Sequence, residues 1–174
     1  MTDDERLRAR AARLAMPVAI EDPDHGRSAI VVMIVGQRYA FPLADVRRAS
    51  ILGPITVLPH VPPIVLGLAT SDGDVRAVFD GRVWAGGTRR SVMENTPVLI
   101  LGTAVAPLVL AIDSFAGSMI LGTHKPPAGT PAATWLHGVT DDGVLVVDVA
   151  ALLSDPAFSP AATSGTRAFE GLSP

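Results

Sequence analysis

The chain contains no cysteine. Disulfides, zinc held by thiolates and thiol nucleophiles are therefore excluded. Charge is sparse too: Asp, Glu, Lys and Arg make up 18% of the residues, and the formal net charge is −3. No basic patch stands out to neutralise a phosphate backbone, so nucleic-acid binding is not expected. An uninterrupted membrane-length apolar run is also missing. Asn95 to Ile112 carries no charge, but Pro97, Gly102 and Pro107 divide it into short valine-rich pieces. Two buried strands around a turn fit it better than a membrane span. The N-terminus, Met-Thr-Asp-Asp-Glu followed by Arg6, Arg8, Arg10 and Arg13, lacks the apolar region of a signal peptide. These absences lead us to expect a cytoplasmic protein with no direct membrane insertion.

What is present suits a compact β protein. Apolar residues make up 48% of the chain, with 16 glycines and 15 prolines among the rest. Short apolar runs alternate with turn residues from Ser28 onward. They predict strands around residues 30–35, 38–41, 46–52, 64–69, 75–79, 97–101, 108–112, 115–121, 135–139 and 144–147. Leu58-Pro-His-Val-Pro-Pro63 is excluded from a sheet because prolines lack ladder donors. Thr70-Ser-Asp-Gly73 and Thr140-Asp-Asp-Gly143 read as turns. Val149 to Leu153 reads as a short helix capped by the Asp148 carboxylate. Before the strands, Leu7, Ala11, Leu14 and Ala15 form a weak helical stripe, and residues 21–26 are a linker by composition. After Pro156 the chain is rich in Ser, Ala, Gly and Pro. The expected organisation is an N-terminal helix and linker at 1–27, one folded domain at 28–154 and a disordered tail at 155–174.

The two halves resemble each other. Ser50-Ile-Leu-Gly53 matches Met119-Ile-Leu-Gly122. Gly67-Leu-Ala-Thr-Ser-Asp-Gly73 matches Gly138-Val-Thr-Asp-Asp-Gly143 after a one-residue gap. Each is followed by a valine-rich strand that ends in aspartate, Asp80 or Asp148. Order and spacing recur together, which indicates duplication. Two units of this size bury little alone and should pack on each other.

No catalytic pattern emerges. A P-loop, a nucleophile elbow, His-Glu-x-x-His and a dinucleotide fingerprint are all absent. His25, His60, His124 and His137 show no helical metal-site spacing, and His137, beside Gly138, is expected to be buried with one hydrogen bond. Asp141-Asp142 reads as a turn rather than a cation site. Asp80 and Asp148 read as helix caps, and Trp84 and Trp135 as packing residues. No enzyme activity, cofactor or metal is expected.

Three segments of the first half carry a resemblance: Gly36-Gln-Arg-Tyr-Ala-Phe-Pro-Leu-Ala-Asp-Val46, Leu58-Pro-His-Val-Pro-Pro-Ile-Val-Leu-Gly67 and Gly73-Asp-Val-Arg-Ala-Val-Phe-Asp80. Pro97 to Gly102, Leu108 to Asp113 and Leu136 to Asp148 carry it through the second. Together they resemble the CheW-like family over about residues 28–154. The resemblance implies a mainly β fold of two small five-stranded, SH3-like barrels around a shared apolar core, with short helices. The expected barrels lie at about 36–85 and 95–147, with a strand at 28–35 available to complete the second. The resemblance also implies a non-enzymatic adaptor with two partners, the regulatory domain of a CheA-type histidine kinase and the tip of a methyl-accepting chemoreceptor. The alternative is a CheW-like scaffold diverted to another motility or polar-localisation complex. Val46, Arg48, Gly67, Asp72 and Gly73 are the candidate interaction residues. The sequence departs from the family pattern at two of them. Arg48 stands where glutamate is common, and Asp72 stands where Asn-Leu-Arg-Gly places arginine.

Overall fold

The structure, a computed structural model, describes residues 28–71, 73–91, 95–103, 106–122, 124–126 and 133–158. The expected N-terminal helix and linker at 1–27 lie outside these residues, as does the tail from residue 159. The described chain forms ten strands, each overlapping an expected one. They are β1 (Ser28–Ile34), β2 (Gln37–Pro42), β3 (Val46–Leu52), β4 (Val65–Ser71), β5 (Asp74–Asp80), β6 (Thr96–Gly102), β7 (Pro107–Ala111), β8 (Ser114–Ile120), β9 (Leu136–Val139) and β10 (Leu145–Val147). Two short helices, α1 (Gly81–Trp84) and α2 (Val149–Leu153), follow β5 and β10.

The strands make two five-stranded sheets, ordered β3-β6-β7-β5-β4 and β8-β1-β2-β10-β9. The duplication is visible in this order. Each sheet has an edge strand, an antiparallel hairpin, a parallel contact (β5 with β7, β2 with β10) and a second hairpin. Neither sheet is a closed barrel. Each is drawn toward closure by a single bridge: Thr56 to Leu68 in the first and Lys125 to Val139 in the second.

The expected barrel boundaries do not follow the sheets. β2, assigned by sequence to the first barrel, pairs with β1 and β10 in the second sheet. β6 and β7, assigned to the second, lie at the centre of the first sheet. The two halves thus exchange hairpins. The physical reason is that both hairpins are apolar on both faces and must be covered on both. Leu99, Leu101, Leu108 and Leu110 face the core shared between the sheets, together with Val32, Ile34, Tyr39 and Phe41. Val98, Ile100, Val109 and Ala111 face the interior of the first sheet. Ala29, Val31 and Ala40 face that of the second. This double burial explains the uncharged stretch from Asn95 to Ile112. It is two inner strands, and no helix is long and apolar enough to cross a membrane among the described residues.

The tail boundary also moves. Pro156–Phe158 forms a 3-10 turn, and Phe158 is buried in the shared core, edge-on to Phe79 with ring centroids 5.2 Å apart. Residues 155–158, expected in the disordered tail, are therefore part of the packed domain. Burying one large aromatic outweighs the local Ser/Ala/Pro composition.

Candidate partner-binding surface

The first sheet offers the most distinctive surface, and its shape begins at Gly67. β4 and β5 pair with a bulge between Val65 and Gly67. At that point the chain leaving β3 folds back onto β4, and Thr56 and Leu68 exchange reciprocal N–H to carbonyl bonds of 2.8 Å. A Cβ on Gly67 would collide with the Thr56 carbonyl. Glycine is therefore required for the sheet to close. Gly138 repeats the arrangement beside its own bulge in the second sheet, lying against the His124 ring and the Lys125 carbonyl.

Beside this closure lies an apolar groove of about 960 Å³. Leu68 of β4, Val75 and Arg76 of β5, Pro107 at the start of β7, Leu153 at the end of α2 and Phe158 line it. Val75 and Leu153 remain 68% and 39% exposed. α2 is held in place by Asp148, which accepts the Ala151 N–H at 3.0 Å, as a cap should. The helix and the turn after it thus form one wall of the groove and the β4–β5 hairpin another.

The residues singled out by sequence divide around this surface. Gly67 is buried, and its neighbour Leu68 is what reaches the groove. Gly73 sits exposed in the β4–β5 turn with φ +84°. Val46 opens β3 opposite Leu101 and packs on the shared core, while Arg48 is exposed beyond a bulge, opposite Ile100. Neither Val46 nor Arg48 lines the groove. Asp72 lies outside the described residues.

A charged clamp joins the sheets at the end of β5. The Asp80 side chain is fully buried and caps α1, accepting the Arg82 N–H at 3.0 Å. It also accepts from the Arg90 backbone at 2.8 Å and from Arg90 Nε at 3.2 Å. Arg90 extends further, to the Ile112 carbonyl at 2.8 Å and to Asp113 at 2.9 Å. Asp113, between β7 of one sheet and β8 of the other, also accepts from Arg82 at 2.7 Å and from the Val35 N–H at 2.8 Å. Burial alone pushes the Asp113 carboxyl up. The hydrogen bonds from Arg82 and Val35, with the charges of Arg82 and Arg90, outweigh burial and hold it below the ordinary aspartate range. Chiefly through the same hydrogen bond, the Arg82 guanidinium is raised. In the sequence Asp80 is legible as a cap, but Arg82 and Arg90 are not legible as its partners, nor Asp113 as the second carboxylate they bind.

Trp84 and Trp135 are packing residues, with ring centroids 4.5 Å apart and both near Tyr39. Burial raises the Tyr39 pKa. His137, expected to be buried, is exposed, and its ring lies 4.7 Å from that of His124. The closing bridge brings the two together across a separation that no sequence period marks. Asp141 and Asp142 occupy a turn closed by the Gly143 N–H to the Thr140 carbonyl at 2.9 Å. Among the described residues, no group of three or more His, Asp or Glu side chains is placed to hold a metal ion.

A family model described as the CheW-like domain matches residues 28–157. The solved structures that match include the crystal structure of the scaffolding protein TtCheW from Thermoanaerobacter tengcongensis. Its TM-score is 0.60 at 18% identity, with 71% of this chain and 89% of that chain covered. No match is found among curated protein sequences.

Proposed function

The chain belongs to the CheW-like domain family, and from that membership we propose that it is a non-enzymatic adaptor coupling chemoreceptors to a CheA-type histidine kinase. The observation that carries this reading is the apolar groove between the β4–β5 hairpin and α2. Its partly exposed walls suit the apolar face of a docked helix. A chemoreceptor tip is such a helical element. The kinase regulatory domain is the second partner, engaged by a different face so that both bind at once. The protein acts in the cytoplasm and is recruited to membrane-associated receptor arrays.

The test is binding of the purified protein to the kinase regulatory domain and to the cytoplasmic hairpin of a receptor from the same organism. Both should bind, and a ternary complex should form. Recovery of neither would overturn the reading. Arg48 and Asp72, reversed in charge from the family pattern, support a second reading: a CheW-like scaffold serving another motility or polar-localisation complex. Pull-downs that recover such a complex without kinase or receptor would favour it.

A further inference from the structure

The groove is not uniformly apolar. Arg76 forms part of its wall, with side-chain exposure of 23%. Its Nη2 donates to Asp74 at 2.6 Å, but Asp74 is 66% exposed, so the pair is screened by solvent. The Nε of the same guanidinium is buried and has no hydrogen-bond partner among the described residues. A buried donor left unpaired is unfavourable, and an arginine is complete when a carboxylate meets two of its nitrogens as a fork. Asp74 engages only one. The groove thus has an unused donor in a mainly apolar wall, whose other polar residues are Thr103, Ser154 and Asp155, the last already engaged by the Ala157 N–H at 2.9 Å.

We propose that Arg76 is the specificity determinant of this groove, selecting an amphipathic helix that carries a glutamate or aspartate on its apolar face. This rests on the groove being the helix-docking surface. The incoming carboxylate takes Nε and Nη2 side-on and replaces the exposed Asp74. Apolar side chains of the same helix face cover Leu68, Val75 and Leu153. A helix with an uncharged face covers Arg76 while its Nε stays without a partner, and is rejected on that account.

The test is titration of the full-length protein with the cytoplasmic hairpin of a chemoreceptor from the same organism, at low and high salt. Arg76→Met removes the charge and keeps an apolar stem. It should weaken binding about tenfold or more, with reduced salt dependence. Hairpin variants with single Glu→Gln exchanges should identify one glutamate whose loss has no further effect in Arg76→Met. Leu153→Asp, a charge placed in the groove, should abolish binding of the unmodified hairpin. If Leu153→Asp binds normally, the groove reading itself fails. If Leu153→Asp abolishes binding but Arg76→Met does not weaken it, only the role of Arg76 falls. Should Arg76→Met fold poorly, Arg76→Lys decides the matter. The point charge of lysine cannot form the fork, so a several-fold loss supports the proposal and unchanged affinity overturns it.

Discussion

The backbone carbonyl of Thr56 occupies the space that a side chain on Gly67 would need. Closure of the first sheet rests on that contact, because the reciprocal bonds between Thr56 and Leu68 form at the same place. Gly67 therefore shapes the groove from below rather than lining it.

Gly67→Ala should destabilise the domain by about 1–3 kcal/mol, the range for forcing atoms into a filled site. Gly138→Ala should cost less. The atom nearest its added Cβ belongs to the His124 ring, a side chain that can move aside, and the Lys125 backbone carbonyl stands farther off, at 2.9 Å, than the Thr56 carbonyl does from Gly67. Denaturant unfolding of both variants measures the difference. Equal stabilities would show that closure of the first sheet tolerates a side chain.

Asp80 and Asp148 occupy matching positions in the duplicated halves, and each caps a short helix. Their removal should not be equivalent. Asp148→Ala loses a cap, worth about 1 kcal/mol. Asp80→Ala also removes a fully buried partner of Arg90, whose side chain is only 12% exposed. Breaking such a pair costs about 3–5 kcal/mol. Thermal unfolding should show a clearly larger loss for Asp80→Ala. A loss equal to that of Asp148→Ala would mean that Arg90 finds water or another acceptor.

The acid limb of stability should report Asp113. Its folded-state pKa lies below the ordinary aspartate value, so its contribution is fully present above about pH 3.9. That contribution is lost as pH falls from there through the depressed native value. Asp113→Asn should cost about 1.5–3 kcal/mol near neutral pH, the range for hydrogen bonds to charged groups. The gap from the parent protein should close as the pH falls through that window. A gap that stays constant into acid would show that the ionised carboxylate contributes nothing.

The strands were legible in the sequence because the cues are local: β-branched runs, Gly turns and prolines that cannot pair. The caps at Asp80 and Asp148 were legible for the same reason. Of the hairpin exchange only β1 was legible, as the strand at 28–35 that completes the second unit. β1–β2 and β6–β7 carry the same two-sided apolar pattern, and that pattern says only that both faces are covered, not by which sheet. The clamp was hidden too. Arg82, Arg90 and Asp113 are separated by stretches with no shared period, and isolated charges between strands read as solvated loops. Around the groove, only Gly67, Gly73 and the α2 cap could be seen in advance, and none of the three lines it. Its walls come from β4, β5, β7, α2 and the turn after α2, which meet only through the exchanged pairing.

Phe158 was missed for a different reason. A single phenylalanine after Ser-Asp-Pro-Ala looks like the start of a tail, yet it is 7% exposed and packs on Phe79. Phe158→Ala should cost about 3 kcal/mol, at the low end for truncating a core phenylalanine. Truncation after Pro156 should cost at least as much as this substitution. An unchanged melting temperature in both would put Phe158 outside the core.

Arg48 and Asp72 bear charges opposite to those of the family pattern, and the reversals are complementary. We propose that the two side chains form an ion pair with its polarity exchanged. Arg48 stands exposed on β3, and the chain leaving β3 bridges to β4 through Thr56 and Leu68. As an exposed pair it would contribute only about 0–1 kcal/mol to stability. Its larger effect is on partner choice, because a charge placed against its like on a partner surface is penalised more than a matched pair is rewarded. Arg48→Glu or Asp72→Arg alone should weaken binding to the native kinase or receptor. The double exchange should recover stability without recovering the original preference. A double-mutant cycle on unfolding free energy reads the coupling directly. Zero coupling would remove the pair, and the partner preference would then have to arise from each charge separately, so that either single reversal would shift it to the same extent with or without the other.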